Sequence, residues 1–238
     1  MKKSVFEEET AADKYDQWYQ TPGGRYADEM EKELFLRLVQ PRSGQSILEV
    51  GCGTGHNLKF FQELELKAVG VEPSKAMLRV AARKVSPEIT LVQARAESLP
   101  FPDNSFDLVA LITVLEFLPD PLKALQEASR AARDKVYLGI LNKASLLGIT
   151  RRIKAKFKES TYRQAKFYSL GEIRGLISQL GNNPSLSWGS VLHFPLSWYR
   201  LFQGLDHFLA FRGSPFGAFL GICLDLKTAS IKVKASKF

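Results

Sequence analysis

The chain has 238 residues, room for one large domain or for one domain with a sizeable insertion. With 45% hydrophobic and 24% charged residues it has the balance of a folded globular chain, which excludes a disordered, collagenous or low-complexity one. The net charge of +8 is uneven: residues 143–238 hold 15 Lys and Arg against Glu159, Glu172, Asp206 and Asp225, a net of +11, while residues 1–142 hold 18 against 21, a net of −3.

In chain order, the start turns acidic at Glu7-Glu8-Glu9 where a secretory signal would turn apolar, so export is not expected. No apolar run approaches the ~18 residues of a membrane span. Cys52 and Cys223 offer neither a disulfide framework nor a metal-ligand spacing, so no metal is expected and the expected compartment is the cytoplasm. Residues 7–40 read as helical, with Leu34 and Leu38 on an apolar stripe that stops before Pro41. Residues 46–50 read as a strand ending at Gly51. Leu58, Phe61 and Leu64 then mark one face of a helix over 57–66. Residues 67–71 form a second strand, and Pro73-Ser74 opens a helix with Ser74 as N-cap and Met77, Leu78 and Ala81 on one face.

Residues 89–92 and 106–112 are the third and fourth strands, the latter apolar almost throughout, as a strand covered on both faces should be. A helix over 121–130, a polar turn over 131–135 and a strand over 135–141 follow. Leu146, Ile149, Ile153 and Phe157 share a face of a basic helix over 145–158. Residues 170–180 form a helix closed by Gly181, and 185–192 and 216–226 are late strands around the aromatic stretch 194–211. The expected fold is a single α/β domain: a Rossmann-like, doubly wound sheet, mostly parallel with an antiparallel last strand, plus helical lid segments. Its parts are a helical cap over 1–40, a cofactor-binding core over 45–142, a lid and substrate region over 143–214, the last strand over 215–227 and a basic tail over 228–238.

The most informative segment is Ile47-Leu48-Glu49-Val50-Gly51-Cys52-Gly53-Thr54-Gly55-His56-Asn57. A strand runs into three alternating glycines and then a helix, so backbone can approach a ligand and unpaired N–H groups face it. The third glycine comes one residue earlier than in the dinucleotide fingerprint, and Glu49 precedes the first by two; both features argue against a nicotinamide cofactor. The segment resembles motif I of class I S-adenosylmethionine-dependent methyltransferases, in the small-molecule branch of the ubiquinone-biosynthesis enzymes. The resemblance continues through Val69-Gly70-Val71-Glu72-Pro73-Ser74, Ala96-Glu97-Ser98-Leu99-Pro100-Phe101-Pro102-Asp103-Asn104-Ser105-Phe106-Asp107 and Val114-Leu115-Glu116-Phe117-Leu118-Pro119-Asp120-Pro121, with Tyr15-Asp16-x-Trp18-Tyr19 ahead of the core.

The resemblance implies S-adenosylmethionine as cofactor, S-adenosylhomocysteine as product, and a cofactor site built from Glu49, Gly51, Cys52, Gly53, Gly55, Glu72, Pro73, Met77, Ala96, Glu97 and Thr113, with Tyr15 and Trp18 closing over it. Glu72 lies 21 residues beyond Gly51, the reach at which an acid ending the second strand meets a ribose diol. Glu49 matches the family acid near the methionine amino group, and Pro73 and Met77 the apolar wall beside adenine. Cys52 reads as a small buried filler. Two positions depart from the family pattern: Arg95 stands where many relatives have an acid directed at adenine, and Ala131-Ala132-Arg133-Asp134-Lys135 replaces the usual proline-glycine-glycine turn.

A sulfonium carries an activated methyl group, so a general base is needed only when the acceptor must lose a proton. Glu116, His56, His193 and Tyr15 are the candidates, Glu116 and His193 carrying structural readings as well. The absence of an Asn/Asp-Pro-Pro-Tyr/Phe motif weighs against DNA, and no RNA-binding module is recognisable. Expected instead is a small-molecule acceptor, apolar or ring-containing, walled by aromatics such as Phe194, Trp198 and Tyr199. The alternatives are a methyltransferase-like scaffold without catalysis, or an enzyme that meets RNA or an anionic membrane surface through its basic part.

Overall fold

The computed structural model describes residues 16–145, 165–181, 184–210 and 213–227. The expected basic helix over 145–158 and the tail over 228–238 fall almost wholly outside these residues, as does Tyr15. Seven strands form one sheet: β1 (Ser46–Val50), β2 (Lys67–Val71), β3 (Thr90–Val92), β4 (Phe106–Ile112), β5 (Ala132–Leu141), β6 (Ser185–Val191) and β7 (Phe219–Asp225). Their order is β3-β2-β1-β4-β5-β7-β6. The first five run parallel, and β7 lies antiparallel between β5 and β6. The winding direction reverses between β1 and β4, which opens a ligand crevice at the carboxyl ends of those strands.

The helices are α1 (Pro22–Val39), α2 (His56–Glu63), α3 (Lys75–Lys84), α4 (Pro121–Ala131), α5 (Leu170–Ile177) and α6 (Tyr199–Ala210). Alternation along β4 divides the core. Leu108 and Ala110 face a cluster with Phe35 of α1 and Leu58 and Phe61 of α2. Val109 and Leu111 face the opposite cluster, with Leu125 and Ala128 of α4 and Ile173 of α5. A side chain such as Phe61, fully buried, contributes roughly 2–3 kcal/mol of transfer free energy. The starts of α3 and α4 are set by side chains: Ser74 accepts from Met77 N and Asp120 from Lys123 N.

The structure corrects two sequence expectations and adds detail at two further places. Residues 132–134 are not a turn, because Ala132 leaves α4 directly in extended geometry (φ −82°, ψ 136°) and pairs with Phe106. Arg133 and Asp134 find ion-pair partners in Asp107 and Lys227, so β5 starts three residues early without exposing unpaired charge. The aromatic stretch after β6, left without an element in the sequence, folds as a 3-10 turn (Leu196–Trp198) and α6. The helix closed by Gly181 tightens to a 3-10 turn over Ser178–Leu180, with Gly181 left-handed at φ +79°. Gly23 and Gly24 lie in the first turn of α1, where a Cβ on Gly24 would stand 2.0 Å from the Trp18 carbonyl oxygen. Gly24 therefore permits a close packing of backbone, not a bend.

Candidate functional site

The glycine loop leaves β1 at the switch point. The N–H groups of Gly51 and Cys52 both donate to Val71 O, at 2.7 and 2.9 Å, which folds the loop over the end of β2. Gly51, Gly53 and Gly55 have φ of +75°, +52° and +79°, a region that favours glycine. A Cβ on Gly53 would meet nothing within 4 Å, so the loop is open on its ligand side there. Gly55 caps α2 and aims that helix's N-terminus across the same crevice.

Two acids flank the loop. Glu72, 8% exposed, accepts from Gly53 N (3.2 Å) through Oε2 and from Ser74 N (2.9 Å) through Oε1. These bonds fix the carboxylate while leaving each oxygen a second lone pair, and burial, the larger effect, raises its pKa. Glu49 is 2% exposed; its Oε1 accepts from Asn57 Nδ2 at 2.8 Å, and its Oε2 has no partner among the described residues. Burial pushes the Glu49 carboxyl up to about 8, with the Asn57 bond opposing and Glu72 adding a smaller rise. An orphaned buried carboxylate oxygen beside an open glycine loop suits a ligand ammonium, and the fixed Glu72 carboxylate suits a diol. The residues present thus fit S-adenosylmethionine.

Pro73 is exposed at the rim after β2, whereas Met77 is buried in α3. Ala96 is buried, and Arg95, exposed, leans on Glu97 (Nη2 to Oε1, 3.3 Å), whose Oε2 is buried and lacks a partner among the described residues. Thr113 turns the chain at the end of β4 with φ +56°, its N–H donating to Gly139 O at 2.7 Å. Cys52 is buried and its thiol is raised by that burial, as a filler's would be.

The N-terminal cap is clasped to the loop. Asp16 accepts from Thr54 Oγ1 and from Lys84 Nζ, each at 2.7 Å. Tyr19 stacks on His56 at 3.8 Å between centroids, and His56 Nε2 lies 2.8 Å from Asp28 Oδ1. Trp18 packs against the cluster with Ala27, Met30 and Val191 and edge-on against Tyr19 at 4.9 Å, and Asp16 and Tyr19 make the direct contacts to the loop. Asp16, Tyr19 and Asn57 were not selected from sequence, although Asp16 and Tyr19 sit in the quoted N-terminal motif and Asn57 ends the quoted loop.

Of the base candidates, Glu116 lies in a 3-10 turn (Leu115–Phe117) beyond β4, 2% exposed. Its Oε1 accepts from Leu141 N at 2.6 Å, its Oε2 has no partner among the described residues, and burial lifts its carboxyl to about 7. His193 instead sits in a buried line. Its Nδ1 and backbone N are each 2.8 Å from Asp206 Oδ1, and its Nε2 is 3.4 Å from Ser190 Oγ. Ser190 is wholly buried, donates to Ser214 O and accepts from Gly217 N, and Asp206 Oδ2 accepts from Tyr26 OH at 2.9 Å. The line resembles a nucleophilic triad in composition but ties β6, α6 and α1 together. Of the aromatics expected to wall an acceptor pocket, Phe194 stacks on Phe202 at 4.7 Å and Tyr199 on Tyr26 at 5.2 Å, while Trp198 is 52% exposed. Among the described residues no group of three or more His, Cys, Asp and Glu could hold a metal ion.

Residues 48–140 match the methyltransferase domain family. The chain is 34% identical over 172 residues to an uncharacterized protein of Methanocaldococcus jannaschii, a match covering 71% of this chain and 78% of that one. It is 37% identical over 102 residues to the demethylmenaquinone methyltransferase of Renibacterium salmoninarum, covering 43% of each chain. Among solved structures it is similar to an S-adenosylmethionine-dependent methyltransferase of Thermotoga maritima, described as a possible histamine N-methyltransferase. That likeness has a TM-score of 0.70 and 26% identity, covering 92% of this chain and 97% of the other.

Proposed function

Because the chain belongs to the class I S-adenosylmethionine-dependent methyltransferases, we propose that it methylates a small apolar or ring-containing acceptor at the carboxyl edge of β4 and β5. The observation that carries the reading is the pair of buried acids around the open glycine loop, Glu49 with an unpaired oxygen and Glu72 held by two backbone amides. The quinone-ring specificity in the name of the Renibacterium relative, similar to this chain across the core, supports the acceptor class.

S-adenosylmethionine supplies an electrophilic methyl group on sulfur, so transfer needs neither a protein nucleophile nor a metal. Glu72 would hold the ribose hydroxyls, Glu49 the amino group, and the Gly51–Gly55 backbone the chain between them. Pro73 and Met77 are assigned beside the adenine. Glu97, with its spare buried oxygen next to Ala96, takes over from the acid that Arg95 replaces. Thr113 forms the floor at the end of β4, and the 16–20 segment excludes water from above.

Glu116 is assigned the acceptor's proton. With its carboxyl near 7 it is poised between accepting and releasing one, and Leu141 N fixes its orientation. His193 is assigned to structure, because both ring nitrogens already face protein partners.

The test is release of S-adenosylhomocysteine from the whole protein with a quinol-type phenol and with a small polar amine as alternative acceptors. Turnover of the phenol, lost in Glu72→Ala, is the expected outcome. Turnover of the amine alone would overturn the acceptor class.

A further inference from the structure

The connection from β3 to β4 crosses from the edge of the sheet to the far side of β1, and residues 93–105 make that crossing without a helix or strand. Such a segment must find its backbone partners elsewhere. At its start Ser98 N donates to Arg95 O at 3.1 Å, closing a turn with Ala96 and Glu97 at its centre. These are the two residues that the resemblance places at the adenine. Glu97 Oε2 is buried with no partner among the described residues, and Glu97 Oε1 meets only the exposed Arg95 at 3.3 Å. Glu97 therefore owes its position to the backbone that carries it.

That backbone is gripped from α4. Glu127 Oε2 accepts from Leu99 N at 2.9 Å, and Arg130 Nη2 donates to Leu99 O at 3.1 Å, so the pair holds both polar groups of a residue two places from Glu97. Arg130 Nη1 donates to Phe101 O at 2.7 Å and to Asp103 Oδ1 at 2.9 Å, and Asn104 N donates to Arg130 O at 2.8 Å. The two side chains are forked together: Arg130 Nε and Nη2 donate to Glu127 Oε1 and Oε2, each at 2.9 Å. The Arg130 bond lowers the Glu127 carboxyl to about 2, so the fork stays charged at neutral pH. Both residues stand on one turn of a helix whose Ala124, Leu125 and Ala128 are wholly buried, which makes α4 a fixed platform. A lysine could not replace the arginine, because one ammonium cannot make this planar set of bonds.

We propose that Glu127 and Arg130 are positioning residues for base recognition: they act through the loop over residues 96–104 and hold Glu97 where its free oxygen meets the exocyclic amino group of adenine. The proposal rests on the assignment of Glu97 to adenine made above. A carboxylate accepts a hydrogen bond from that amino group and repels the carbonyl oxygen that hypoxanthine carries in its place. How well the loop is held is therefore read as selectivity between the two bases, and not only as affinity.

The experiment is calorimetric titration of the whole protein with S-adenosylhomocysteine and with S-inosylhomocysteine, in the unmodified chain and in Glu97→Ala, Arg130→Met and Glu127→Gln. Thermal unfolding checks that each variant is folded, and the isosteric Glu127→Gln carries the test if Arg130→Met is not. The unmodified protein should prefer the adenine ligand by at least about tenfold. In Glu97→Ala and Arg130→Met that preference should shrink to within about threefold, through weaker binding of the adenine ligand alone, and Glu127→Gln should move it the same way by less. A preference that shrinks in Glu97→Ala but stays whole in both α4 variants overturns the positioning role and leaves the Glu97 assignment standing. Equal weakening of both ligands in the α4 variants also overturns it, since that is plain support of the fold. A preference untouched in Glu97→Ala, or absent from the unmodified protein, overturns the Glu97 assignment and the proposal with it.

Discussion

At the scale of single residues, the two loop acids have separable roles. Glu72→Ala removes a charged acceptor that Gly53 N and Ser74 N hold in place, a loss of roughly 1.5–3 kcal/mol. Calorimetric titration should show S-adenosylmethionine binding about 10–150-fold weaker. Glu49 makes a different prediction. A carboxyl at about 8 is roughly nine-tenths protonated at pH 7, and an arriving ammonium stabilises only its ionised form. Binding should therefore release close to one proton and tighten as pH rises from 7 to 8. Titration in buffers of different ionisation enthalpy counts that proton, and Glu49→Gln should abolish it. Both acids were legible in the sequence by their positions around the glycines. The proton was not, because it depends on the burial of Glu49 in the folded chain and on Glu72 beside it, with the Asn57 bond opposing both.

At the scale of elements, two helical glycines should respond oppositely to alanine. In Gly24→Ala the new Cβ would collide with the Trp18 carbonyl oxygen, 2.0 Å away, and force α1 off the turn before it. A loss above about 2 kcal/mol is expected. Gly175 is exposed inside α5 with nothing within 4 Å of the added Cβ, so Gly175→Ala should stabilise by about 0.5–1 kcal/mol. Thermal unfolding of the two variants reads both signs. The buried line of His193, Asp206 and Tyr26 anchors α6 in the same way. Asp206→Ala leaves three part-buried donors, His193 N and Nδ1 and Tyr26 OH, without their acceptor and should cost about 2–3 kcal/mol by denaturant unfolding, with Asp206→Asn recovering part of it. Tyr26 and Asp206 lie 180 positions apart, so no local periodicity could have paired them.

At the scale of the molecule, titration of the buried acids sets how stability varies with pH. Glu49 and Glu116 are raised by burial to about 8 and about 7, so the fold favours their protonated forms. Their stabilisation is fully present below the ordinary carboxylate range and is lost as pH rises through 7 and 8. Glu127 and Glu172, bonded to Arg130 and Lys143, are lowered to about 2, and what they contribute is lost only as pH falls toward that value. The cofactor-free protein should thus be most stable near about pH 5 and weaken toward pH 8, by at most ~1.4 kcal/mol per pH unit for each raised acid. Denaturant midpoints across that range measure the slope, and Glu116→Gln should flatten it.

The sequence by itself determined the parallel core, the glycine loop, the acids on either side of it and the methyltransferase family. Each of these rests on a local signal: an apolar run, a helical period, a glycine in a left-handed turn, an acid at the end of a strand. Only the tertiary structure decided that β7 enters between β5 and β6, that Asp16 and Tyr19 contact the loop at Thr54 and His56 while Trp18 packs against Tyr19 and the cluster of Ala27 and Met30, and that α6 carries apolar side chains on both sides. Those outcomes come from pairings across dozens of residues, where burial and the partnering of buried charge select among arrangements that local pattern leaves equal.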